Sequence, residues 1–288
     1  MQGFTVMVFG ILVAYSDDYF ENSLHEFNSI LRMLSRKHKL IVVFNSNTLA
    51  SKYDLLPVES SDFDFVLGTN QMHEFSGWSE GLEFVKHKYN NLFNNSSYIF
   101  ANDTLCHHRR FTYSHRLIFT IASYFALSAK KPKIAGEIHS NGNHFFYNNE
   151  KFDCWISSYF FAINNHAMHL IEFNILPQKE LINYYLLGGH DERYFFSEAL
   201  DKYLKTHILN NLFHGGWYKS QPLDESNKDF FYVKARSILA EFSLSSKAHS
   251  NKIEFVDTHF LNKLFHKWIP VKIKNLVISL AVGSTKRL

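Results

Sequence analysis

Residues Thr5 to Ala14 form an unbroken apolar run rich in Val and Ile, and this run limits the possible folds more than any other stretch of the chain. A strand with one wet face alternates polar and apolar residues; one that does not alternate must be covered on both faces. The apolar stretch Phe4 to Tyr15 is too short to cross a bilayer and has no basic leader of the signal-peptide kind, so it reads as a buried strand. Ser16-Asp17-Asp18 follows with capping chemistry, and Phe20, Leu24, Phe27, Ile30, Leu31 and Leu34 recur at three and four residues, which predicts a helix. Positive charge at Arg36-Lys37-His38-Lys39 suits the carboxyl end of that helix. Leu40 to Phe44 is the next apolar run and ends in Asn45-Ser46-Asn47-Thr48. Strand, helix and strand in about forty residues make a parallel α/β unit.

The alternation continues. Phe63 to Leu67 reads as a short strand, Gly68 to Gly81 as a polar loop entering a helix, and Tyr98 to Ala101 as a further strand. Thr112 to Ala129 reads as a helix, Lys133 to Ile138 as a strand, and Cys154 to Ile163 as a strand followed by a helix over Asn165 to Phe173. Arg193 to Leu212 and Lys228 to Leu244 carry apolar residues at helical spacing, which makes the second half the more helical one. The expected fold is a mixed, mostly parallel central sheet flanked by helices, Rossmann-like, with a more helical C-terminal part. Ligands of such sheets bind beyond the carboxyl ends of the strands. Asn45, Asn70, Asn102 and Asp103 all fall just past expected strand ends and should gather on one edge.

Composition excludes several classes. A net charge of +3 over 288 residues is too small for a nucleic-acid binder, and the two cysteines, Cys106 and Cys154, are too few for a disulfide framework, so both are expected as free thiols in a reducing, cytoplasmic compartment. His107-His108 does not make a zinc site, because adjacent residues point apart and no His-x-x-x-His motif with a carboxylate partner accompanies them. A phosphate-binding Gly-x-x-x-x-Gly-Lys loop and a dinucleotide Gly-x-Gly-x-x-Gly are both absent from the sequence. From Thr258 to Leu288 the chain carries six basic residues and no acidic one, with Phe260, Leu261, Leu264, Phe265 and Trp268 as an apolar stripe. This segment reads either as a peripheral contact for an anionic membrane or as an ordinary amphipathic helix packed on the core.

The order of the motifs resembles GT-A glycosyltransferases of the family 2 type, which build bacterial surface polysaccharides. The resemblance spans about Val6 to Phe173 and rests on Ile41-Val42-Val43-Phe44-Asn45-Ser46-Asn47-Thr48, the stretch Asn70 to Gly81, and Asn102-Asp103-Thr104. Ile134-Ala135-Gly136-Glu137-Ile138 and Trp155 to Asn164 look like the acceptor-side strands of such enzymes. It implies a catalytic domain over residues 1–257, with a donor-binding half of about 1–110 and an acceptor-side half of about 111–257, followed by the basic segment 258–288. It also implies a hexosyltransferase-like reaction from a nucleotide-sugar donor to a hydroxyl of a surface glycan or lipid-linked saccharide.

In that frame Asp103 would hold a divalent metal, Mn or Mg, on the donor diphosphate. Asn102 would bond the ribose or the sugar and Asn45 the nucleotide, Asn70 would belong to the donor loop, and Gly77 and Gly81 would let backbone approach the donor. Asp191 and Glu192 would supply the general base, with Glu137 as rival. Two features temper the likeness. The motif holds one carboxylate where the family usually has two, and Asn102-Asp103-Thr104 also reads as a turn with a helix cap. A degenerate transferase fold acting as a binding or scaffold subunit is therefore a second reading. A sugar-phosphate nucleotidyltransferase is a weaker third, because residues 4–20 contain only Gly10 and no glycine-rich loop.

Overall fold

A computed structural model describes residues 6–54, 63–107, 111–140, 142, 144–147, 150–177, 197–209, 219–261 and 263. The opening apolar run forms β1 (Val8–Ala14), buried along its whole length. Then come α1 (Asp17–Leu34), β2 (His38–Phe44), α2 (Asn47–Asp54), β3 (Phe63–Leu67), α3 (His73–Lys88), α4 (Asn90–Phe93), β4 (Ser97–Asn102) and a 3-10 turn at Asp103–Cys106. The chain goes on through α5 (Tyr113–Leu127), β5 (Lys133–His139), β6 (Phe145–Tyr147), β7 (Glu150–Phe152), β8 (Trp155–Ile163), α6 (Asn165–Leu170), α7 (Glu198–Leu209), α8 (Lys228–Ser250) and β9 (Glu254–Asp257).

Seven strands form one sheet in the order β3-β2-β1-β4-β8-β5-β9. The first four are parallel to one another, β8 runs antiparallel to both β4 and β5, and β9 pairs parallel with β5. This is the mostly parallel, helix-flanked α/β sheet that the strand-helix alternation predicts. Covalent order moves outward from β1 to β2 and β3, then returns to place β4 on the other side of β1. A crevice opens at such a reversal, outside the carboxyl ends of the two diverging strands.

The two faces of β1 show why its sequence has no polar alternation. Phe9, Ile11 and Val13 enter a core with Phe75, Trp78, Leu82 and Val85 of α3, whereas Val8, Leu12 and Ala14 enter another with Phe20, Phe27, Ile30 and Leu31 of α1. Each side chain fully removed from water contributes about 1.5–3 kcal/mol, so both helices are fixed firmly against the strand. Parallel pairing sets Ala14 level with Phe44 and Val13 level with Asn102, which brings Tyr15, Asn45 and Asp103 to the same edge.

A third core lies under α7 and α8, where the β6-β7 hairpin and Trp155 pack on Leu200, Leu204, Phe231 and Phe242. His207 stacks on Tyr203 in this region, and its buried Nδ1 has no hydrogen-bond partner among the described residues. Burial, helped by the charge of Lys234, lowers its pKa from the ordinary 6.5 to about 4. The unfolded chain therefore binds the extra proton first. Stability should fall as pH drops from about 6.5 to about 4 and stop depending on this group below that. Denaturant midpoints across this range should flatten in His207→Gln; an unchanged slope would mean that the ring is not held neutral.

Both cysteines are free thiols. Among the described residues no helix is long and apolar enough to cross a membrane. Of the basic segment, Leu261 packs against the α5 side of the core and Phe260 is exposed; residues 264–288 lie outside the described residues.

Candidate functional site

A cavity of about 460 Å³ opens at the carboxyl ends of β1 and β4, within the size range of small-ligand sites. Its sheet side comes from the turn after β1 (Tyr15, Ser16) and the end of β4 with its 3-10 turn (Asn102, Asp103, Thr104, His107). His73 and Glu74 enter from the first turn of α3, and Ser158 from β8. The opposite wall is α8, through Phe230, Val233, Lys234 and Ser237, joined by Lys219. The cavity occupies the crevice that the strand order creates.

Asp103 is almost fully buried, and its carboxylate faces the start of α1. Its Oδ2 accepts hydrogen bonds from the backbone N–H groups of Tyr15 and Ser16, each at 2.6 Å. Its carbonyl accepts from Ser23 Oγ at 2.8 Å. A negative side chain thus meets amides that a helix start leaves unpaired, and the ends of β1 and β4 are tied together. Burial raises the carboxyl pKa, the two amides oppose that shift, and the charge of Glu74 adds to it. Asn102 caps the 3-10 turn, its Oδ1 accepting from Thr104 N at 3.1 Å and Thr104 Oγ1 at 2.5 Å. The cap reading of Asn102-Asp103-Thr104 is therefore realised, and the same residues line the cavity.

Other expected site residues fall differently. Asn45 and Asn70 do gather on the same edge, 3.4 Å apart between Nδ2 and Oδ1, yet neither lines the cavity. Asn45 Nδ2 donates to the carbonyl of His73 at 2.9 Å and so holds the start of α3, where His73 has a φ of 50°. That left-handed backbone is costly for a side chain larger than glycine and persists only when neighbours fix it; Ser76 Oγ donates to the same carbonyl.

The expected polar loop over Gly68 to Gly81 is corrected: it ends at Met72, and Gly77 and Gly81 lie inside α3. A Cβ on Gly77 would meet Val13 Cγ2 at 2.7 Å, and one on Gly81 would meet Ile11 Cγ2 at 2.6 Å. The two glycines allow the helix to approach β1, and the approach expected toward a donor is instead an approach between helix and sheet. Glu137 sits on β5 as expected, but it accepts a hydrogen bond from Tyr159 OH, lies 3.7 Å from His139 Nε2 and does not line the cavity. Asp191 and Glu192 lie outside the described residues.

Several cavity groups escaped the sequence reading. Glu74 is buried and accepts from Ser237 Oγ at 3.3 Å. His73 has its pKa lowered by burial and by Lys234 against the opposing charge of Glu74, which keeps the ring neutral near pH 7. Glu241 of α8 does not line the cavity but accepts from the N–H of Ser158, which does, at 2.8 Å; burial raises its pKa while Lys234 draws it down. The signal lay in α8 itself, whose helical stripe is interrupted by Lys234, Ser237 and Glu241 at positions where a purely structural helix would stay apolar.

The described residues offer a divalent ion few ligands. Asp103 has one oxygen committed to two amides, and no three His, Cys, Asp or Glu side chains among the described residues are grouped to hold an ion. A divalent ion would have to draw most of its ligands from phosphate oxygens and water, as Mg²⁺ often does. Among the described residues, positive charge in the cavity wall comes from Lys219 and Lys234.

The fold and cavity together define an α/β protein with a ligand-sized site at the switch point of an open, mostly parallel sheet. No protein-family model matches the chain, and no curated protein matches it.

Proposed function

We propose that the chain is a glycosyltransferase that takes a nucleotide-sugar donor into this cavity and passes the sugar to a hydroxyl of a bacterial surface glycan or lipid-linked saccharide. The observation that carries the reading is the position of Asn102, Asp103 and Thr104, which line a cavity at the reversal of strand order, where nucleotides bind in sheets of this kind. The resemblance to GT-A enzymes points to the same three residues. In the reaction the acceptor oxygen bonds to the anomeric carbon as the bond from that carbon to the phosphate oxygen breaks. The electron pair leaves on the diphosphate, and the acceptor proton passes to a base. Asp191 is the base that the resemblance supplies. A metal, when bound, would neutralise the departing diphosphate; the chain's own contribution is orientation by Asn102 and Asp103 and positive charge from the α8 side.

A lipid-linked acceptor would place the protein on the inner face of the cytoplasmic membrane, with the basic residues of 258–288 toward anionic lipid. The second reading, a binding or scaffold subunit with a transferase-like fold, is favoured by one observation, the commitment of Asp103 Oδ2 to backbone amides. Titration calorimetry with UDP, GDP and dTDP sugars, with and without manganese, tests the proposal. One nucleotide series should bind in the micromolar to millimolar range usual for enzyme substrates, about 10⁻⁶–10⁻³ M; no binding by any of them would refute it.

A further inference from the structure

Phe230, Val233, Lys234 and Ser237 are spaced at i, i+3, i+4 and i+7, so one stripe of α8 turns four side chains onto the cavity. Lys219, just before α8, places its Nζ 5.7 Å from the centroid of the half-exposed Phe230 ring. Both ammonium groups come from the α8 side, the helix that also carries Glu241; Asp103 belongs to the sheet side, and Glu74, at the start of α3, meets α8 through Ser237. The carboxylates already act as acceptors, Asp103 from two amides and Glu74 from Ser237. His73, on the same cavity wall, has its pKa lowered mainly by burial, against the charge of Glu74 and with a smaller contribution from Lys234.

We propose that Lys219 and Lys234 hold the diphosphate of the donor. The assignment rests on the donor reading above and adds the residues that meet its charge. A carboxylate repels phosphate and accepts hydroxyl groups, so the sheet side suits the sugar and the α8 side the diphosphate. An ammonium is a mobile point charge with three donors, able to follow phosphate oxygens as charge builds on them. His73 flanks the same space and, with its pKa lowered by burial, adds no full charge near pH 7.

The test compares a nucleoside with its diphosphate: uridine with UDP, guanosine with GDP and thymidine with dTDP. Each is titrated into the full chain in chelator and again in manganese. In the series that binds, the diphosphate should bind about 30-fold or more tighter than the nucleoside in chelator, and added salt should shrink that excess. Lys219→Gln with Lys234→Gln should remove about tenfold or more of the diphosphate affinity and leave the nucleoside within about twofold. Lys219→Gln alone, at an exposed position, should cost about threefold without endangering the fold. A folded double variant that keeps the full excess overturns the assignment, and so does an excess that appears only with manganese and ignores both lysines. Nucleoside binding with no preference for the diphosphate overturns the lysine assignment alone; no binding of any member overturns the donor reading with it.

Discussion

Asp103→Ala should lose about 3 kcal/mol of stability and all measurable donor turnover, because it strips the partner from two backbone amides at the start of α1 as well as a polar group from the cavity. A hydrogen bond to a charged group contributes about 1.5–3 kcal/mol, and an orphaned donor costs a similar amount. Asp103→Asn separates the two roles. Its amide oxygen can still accept from Tyr15 and Ser16, so the loss should fall to about 1 kcal/mol, while turnover drops about 100-fold if the charge serves the reaction. A scaffold subunit has no turnover to lose, and that outcome would select the second reading. The pH dependence gives an independent check. Burial raises the Asp103 pKa above the ordinary 3.8, so the folded state binds the proton more tightly and stability falls as pH rises through the window above 3.8. Asp103→Asn should remove that slope in urea midpoints measured from acid to neutral pH.

Trp78→Ala should be the most damaging single change in the core, at about 3–5 kcal/mol. The indole is fully buried between Phe75, Phe100 and Phe161, with ring centroids 5.0, 5.8 and 5.2 Å away. Its Nε1 donates to the carbonyl of Ala101 at 2.9 Å, immediately before Asn102 and Asp103. One side chain therefore ties α3, which presents His73 and Glu74, to the end of β4. Trp78→Phe keeps most of the packing and drops the hydrogen bond, which should cost about 1–2 kcal/mol. Hydrogen exchange at residues 101–104 should quicken in the Phe variant before global stability fails. Protection unchanged there, or a Trp78→Ala protein as stable as wild type, would show that this link does not hold the site.

The parallel half of the fold was legible because its evidence is local. The β1 run, the spaced apolar residues of α1 and the run in β2 each declare their element within a short window, and parallel pairing then aligns their ends. The start of α3 was misplaced for a physical reason: Gly77 and Gly81 usually signal loops, but here the missing Cβ atoms let the helix close on Val13 and Ile11. The insertion of antiparallel β8 between β4 and β5 depends on pairing between strands about sixty residues apart in sequence, Tyr98 with Ile163 for example, and no local pattern encodes it.

The candidate site was legible to the same extent. Asn102 and Asp103 follow an apolar strand and could be found from that pattern alone. Glu74, Lys219 and Lys234 reach the cavity only through tertiary packing, from elements that sequence spacing marks merely as helix or connection. Glu74 brings a second carboxylate to the cavity wall from a distant part of the chain. Asn45 reaches the expected edge, where its Nδ2 holds the His73 carbonyl and the residue stays outside the cavity lining.

The most direct test of the account is a crystal structure of the full chain with whichever nucleotide sugar calorimetry selects. The account predicts the donor in the cavity between β1, β4 and α8, with its diphosphate within about 4 Å of Lys219 and Lys234 Nζ and its sugar beside Asn102 and Asp103. Donor bound elsewhere, for example in the hollow lined by Phe44, Asn47, Phe65 and Leu67, or lying in the cavity with its diphosphate turned away from both lysines, would contradict it.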